Sequence, residues 1–85
     1  MMPETAQGLD IQRFAERLRR ARLRADLTQT ELAKRAGLHL GNLNELECGK
    51  GRGVRGDTVV RLCRALGCSA DYLLGLTGEA GDDAA

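Results

Sequence analysis

Leu27-Thr28-Gln29-Thr30-Glu31-Leu32-Ala33-Lys34-Arg35-Ala36-Gly37 is the stretch that decides the fold. Thr28 and Glu31 stand three apart, the spacing of a capping box, in which the threonine accepts from the backbone and the glutamate reaches back. A helix therefore opens here. Leu32, Ala33 and Ala36 recur at helical spacing and form its inner face. Gly37 closes it, because glycine takes the left-handed conformation past a helix end at little cost. A short turn, Gly37-Leu38-His39, leads into a further helix from Leu40 to Cys48, with Leu43 and Leu46 turned inward and Gly49 as its stop.

The same periodicity extends outward in both directions. Upstream, a helix is expected from Asp10, a capping residue, to Ala25. Phe14, Leu18, Ala21 and Ala25 repeat along one face, with Ile11 leading in, while Arg13, Arg17, Arg20 and Arg24 make a second stripe. Downstream, Gly49 to Gly56 reads as a basic, glycine-rich loop. Asp57 or Thr58 starts a fourth helix through Val59, Leu62, Cys63 and Leu66, stopped by Gly67. Ser69 caps a short fifth helix carrying Tyr72, Leu73 and Leu74. Residues 1–9 read as a flexible arm, 10–75 as one all-α domain, and 76–85 as a flexible acidic tail.

Composition agrees with packed helices and narrows the chemistry. Of 85 residues, 42% are hydrophobic, but Phe14 and Tyr72 are the only aromatics, so the core must come from Leu, Val and Ala. The net charge of +1 conceals an uneven layout: all 13 bases and seven of the 12 acids fall within residues 10–66. A basic body with an acidic tail is the profile of a polyanion binder, and equally of a solvated helical surface. Cys48, Cys63 and Cys68 match no zinc-ligand spacing, so no metal or cofactor is expected. Cys63 and Cys68 occupy apolar positions and read as core filler. No apolar run approaches the ~20 residues of a membrane span, and the start of the chain carries no secretion signal. A cytoplasmic protein is the expectation. No nucleophile with a base, ligand cluster or phosphate-binding loop ending in GKS or GKT is present, which argues against an enzyme.

Three segments appear in order: LTQTELAKRAG (Leu27 to Gly37), ELECGK (Glu45 to Lys50) and VVRLCRALGCSADYLLG (Val59 to Gly75). Together they resemble the phage Cro and repressor family of helix-turn-helix regulators, the XRE family, over about residues 13–75. The resemblance implies a five-helix, lambda-repressor-like domain. It implies that Gln29 bonds a DNA phosphate and braces the recognition helix, and that Leu40, Gly41, Asn42, Asn44 and Glu45 form the surface that reads bases. Leu40 could touch a thymine methyl, Asn42 or Asn44 could read adenine, and Glu45 could accept from cytosine. It makes Arg22 and Glu47 an internal ion pair tying the first helix to the third. Lys50, Arg52 and Arg55 fall in the segment that grips the DNA backbone.

This chain departs from the family pattern at several positions. His39 replaces the usual Ser or Thr cap. Leu40 stands where a bidentate glutamine is common. The loop after the recognition helix is about one residue longer than usual and lacks a proline.

The resemblance implies a sequence-specific regulator of double-stranded DNA, a repressor, acting as a homodimer on a palindromic operator with half-sites about 34 Å apart. Tyr72, Leu74 and Leu76 are the expected dimer residues, since a helix this short cannot bury four large apolar neighbours alone. A second reading stays open at this point: a protein-interaction module, such as an antitoxin that binds a partner protein, suggested by the weakly basic face of Leu40, Gly41 and Glu45.

Overall fold

The computed structural model describes residues 8–51 and 53–77. The expectations placed on Arg52, on residues 1–7 of the arm and on residues 78–85 of the tail lie outside them. Among the described residues the chain forms helices only: α1 (Ile11–Arg24), α2 (Gln29–Ala36), α3 (Leu40–Glu47), α4 (Gly56–Leu66) and α5 (Ala70–Leu74).

Local chemistry sets most of the ends. The Asp10 side chain accepts from the Gln12 and Arg13 amides and starts α1. Both halves of the capping box are in place on α2: the Thr28 hydroxyl accepts from the Glu31 N–H, and the Glu31 carboxylate accepts from the Thr28 N–H. The hydrogen bonds from the Thr28 backbone, then from its side chain, hold the Glu31 carboxyl below its ordinary value. Gly37 and Gly67 end α2 and α4 in the left-handed region, at φ 70° and 69°. His39 precedes α3 without a side-chain cap. Helix α4 starts at Gly56, one residue earlier than expected, because Arg55 adopts the extended cap conformation and the Val59 amide bonds its carbonyl at 3.0 Å.

The helices enclose one core. Phe14, Leu18, Leu32, Leu43, Leu62, Tyr72 and Leu73 are fully buried, each worth about 1.5–3 kcal/mol relative to exposure. Helix α2 packs on α3 and α4, while α1 packs on α3 and α5. Ala25 is exposed rather than part of the α1 face, because it sits at the C-cap after the last inward turn. Leu9, assigned by sequence to the arm, packs against the core. At the other end, the Leu76 N–H bonds the Asp71 carbonyl at 2.8 Å and Thr77 offers its carbonyl to Arg17, so ordered contacts run past residue 75.

Tyr72 corrects the expected dimer surface. Its side chain is 2% exposed, filled in against the chain's own core. The Arg17 guanidinium lies 4.9 Å from the centre of its ring and donates to the Tyr72 and Thr77 carbonyls. A residue enclosed in this way has no surface to offer a second copy. Arg17 thereby leaves the arginine stripe that periodicity had drawn along α1. Leu74 is half-buried against the core, and Leu76 is 73% exposed.

Candidate nucleic-acid interface

Helix α3 buries one edge and exposes the other. Leu43 and Glu47 are buried and Leu46 partly so, whereas Leu40, Gly41, Asn42, Asn44 and Glu45 are all exposed. This division follows from the 3.6-residue period once Leu43 is anchored in the core. Leu40 is 46% exposed, so it is not a core residue. A Cβ on Gly41 would meet nothing within 4 Å, so packing inside the chain does not require glycine there.

Two clamps hold α3 on the domain. In the first, Arg22 Nε donates to Glu47 Oε2 at 2.7 Å and Arg22 Nη2 to Oε1 at 3.0 Å. The geometry is a paired fork, which is the strong form of this interaction. Arg22 Nη1 also donates to the Leu27 carbonyl at 2.9 Å, tying the α1–α2 connection into the same unit. Gln29 Nε2 donates to Glu47 Oε1 at 3.1 Å, and Asn44 Nδ2 donates to Gln29 Oε1 at 3.3 Å. A continuous chain of hydrogen bonds thus runs from α1 through α3 to the start of α2 and back to α3. In the second clamp, Gln12 Nε2 donates to the Gly49 carbonyl at 3.1 Å. The φ of 75° at Gly49 favours glycine, and a Cβ there would come within 2.7 Å of that amide nitrogen, so a side chain would displace the Gln12 contact.

The expected site residues divide between these features. Gln29 and Asn44 face each other and share the Glu47 network. Asn42, Glu45, Lys50 and Arg55 line a groove of about 260 Å³ between α3, the following loop and the start of α4. The Lys50 backbone N–H donates to the Glu45 carbonyl at 3.1 Å, which fixes the chain there. The structure therefore brings Asn42 and Glu45 beside two bases and gives Asn44 an internal partner. Sequence reasoning missed Gln12 and Arg17. Both act across long sequence separations on backbone carbonyls, which carry no residue-specific signal in the chain.

Two short helices joined by a glycine turn, with the outer face of the second left bare beside a basic loop, define a helix-turn-helix domain. The sequence profile of the helix-turn-helix family matches residues 18–73. The chain belongs to that family, in its phage Cro and repressor (XRE) branch. Two solved structures are similar. The restriction-modification controller protein C.AhdI from Aeromonas hydrophila is 31% identical with a TM-score of 0.70, the match covering 75% of this chain and 96% of the controller. The P22 c2 repressor protein, solved in complex with synthetic operator 9T in the presence of Tl+, is 31% identical with a TM-score of 0.66, covering 72% of this chain and 91% of the repressor. No curated protein matches the sequence.

Proposed function

We propose that this chain binds double-stranded DNA sequence-specifically and regulates transcription, with the exposed edge of α3 in the major groove. The observation that carries the reading is the clamped α3 whose outward edge, Leu40, Gly41, Asn42 and Glu45, stays exposed. A reading surface must be held in place before it meets DNA, and the Arg22–Glu47–Gln29 network supplies that support. The operator-bound repressor of similar fold adds to it.

Within this reading Asn42 is the principal hydrogen-bonding reader. It suits adenine, while Asn44 positions Gln29. Glu45 accepts from the cytosine amine, and half-exposed Leu40 meets a thymine methyl. Gly41 lets the helix backbone approach the groove closely. Gln29 directs the start of α2 toward a phosphate, where helix N-terminal amides favour an anion. Lys50, Arg52 and Arg55 grip the backbone from the loop. Leu74 and Leu76 join two copies on a palindromic operator.

Salt dependence tests the grip. Each phosphate contact removed flattens the slope of log K against log salt by roughly 0.9 per bound chain. Lys50→Ala with Arg55→Ala is therefore expected to flatten it by up to about 2 units per chain and to weaken binding alike on all sequences. An unchanged slope in a fluorescence titration makes the loop a plain surface connection. A chain that binds no duplex at any salt, yet captures a protein partner, is instead an interaction module.

A further inference from the structure

Cys63 lies in the last turn of α4, and Cys68 follows the glycine that ends it. With Gly67 left-handed, the Gly67 amide bonds the Cys63 carbonyl at 2.8 Å and the Cys68 amide bonds the same carbonyl at 3.3 Å. This chain reversal lays the residue after the glycine against the side chain at the start of the turn. Both side chains pack against the core at this same helix end, and burial pushes the Cys63 thiol up while the neighbouring Cys68 side chain draws it down. Both residues are partly exposed. Cys48 is different: it sits alone at the end of α3, its Sγ 3.8 Å from Asn44 Oδ1.

We propose that Cys63 and Cys68 form a dithiol that peroxide closes to an intramolecular disulfide. One sulfur, as thiolate, attacks the peroxide oxygen, breaking the O–O bond to give a sulfenic acid and release hydroxide, which takes up a proton. The second thiol attacks the sulfenic sulfur, forming the S–S bond and expelling water. Two thiols and one hydrogen peroxide become one disulfide and two waters. A disulfide needs its two residues close before the bond forms, and the amides of Gly67 and Cys68 converging on the Cys63 carbonyl bring the two residues together at the helix end. The bond fixes the joint between α4 and α5. Ser69, which caps α5 by accepting from the Tyr72 amide at 3.1 Å, follows it directly, and the segment bearing Leu74 and Leu76 hangs from that joint. The site is thus an oxidative modification point next to the surface proposed to join two copies.

The test treats the folded full-length chain with hydrogen peroxide, blocks remaining thiols by alkylation and digests it with trypsin. Cleavage after Arg61 and Arg64 puts Cys63 and Cys68 on separate peptides, which the disulfide alone joins. The expected result is a chain lighter by two hydrogen atoms before alkylation, with one alkyl group taken up instead of three, those two peptides linked and the link undone by dithiothreitol. Cys48→Ser gives the same product, while Cys63→Ser and Cys68→Ser each abolish it. Peroxide that leaves Cys63 and Cys68 as thiols while oxidising Cys48, that links either of them to Cys48, or that carries them separately to sulfinic acids overturns the proposal.

Discussion

Glu47→Ala is expected to lower the unfolding free energy by roughly 3–5 kcal/mol, read as a fall in the urea midpoint. The Glu47 side chain is only 3% exposed and that of Arg22 13%, so water cannot replace the lost carboxylate. Removing it leaves a nearly buried guanidinium without its counter-charge and Gln29 Nε2 without its acceptor. For a small domain this is a large part of the total stability. The loss comes from the stranded partner more than from the pair itself. Arg22→Met combined with Glu47→Leu, which removes both charges and keeps the volume, is therefore expected to recover much of it. That double variant also separates stability from function, because Gln29 and Asn44 lose their anchor even where the fold is restored. A Glu47→Ala loss under about 1 kcal/mol would mean that the clamp is solvated in solution.

Leu76→Asp is expected to turn a dimer into a monomer in sedimentation and to weaken binding to a palindromic site by about 10²–10⁴-fold, the gain that linking two sites provides. Affinity for an isolated half-site should be unchanged. Leu76 is 73% exposed and bears no part of the core, so the substitution leaves the fold intact. Adding Leu74→Asp tests the half-buried neighbour, with thermal unfolding as the control for its stability cost. A wild-type chain that remains monomeric at high concentration contradicts the C-terminal interface.

The helices were legible in the sequence wherever local chemistry decides them. The Thr28–Glu31 box and the glycines at 37 and 67 stand at the helix ends that their spacing implies. Tyr72 was less legible. A pattern with four large apolar residues in so short a segment shows that some must find cover elsewhere, but not which. Arg17 decides it, by reaching from α1 over the Tyr72 ring to two carbonyls. Asn44 shows the same limit at the site. Spacing put Asn42 and Asn44 on one reading surface, yet only the packing of α2 against α3 brings the Asn44 amide to Gln29. Gln12 had no signal at all, since its partner is a carbonyl 37 residues away.

The central claim, that α3 reads sequence, is tested most directly by titrating the chain at fixed salt against two duplexes. One is a site recovered by selection from a random pool, the other a scrambled duplex of equal length. The account predicts tighter binding to the selected site by 10³-fold or more, as is typical of specific recognition. It also predicts that Asn42→Ala removes about 1–3 kcal/mol of that preference while scarcely changing affinity for the scrambled duplex. Equal affinity for both duplexes, or a preference that survives Asn42→Ala undiminished, would contradict it.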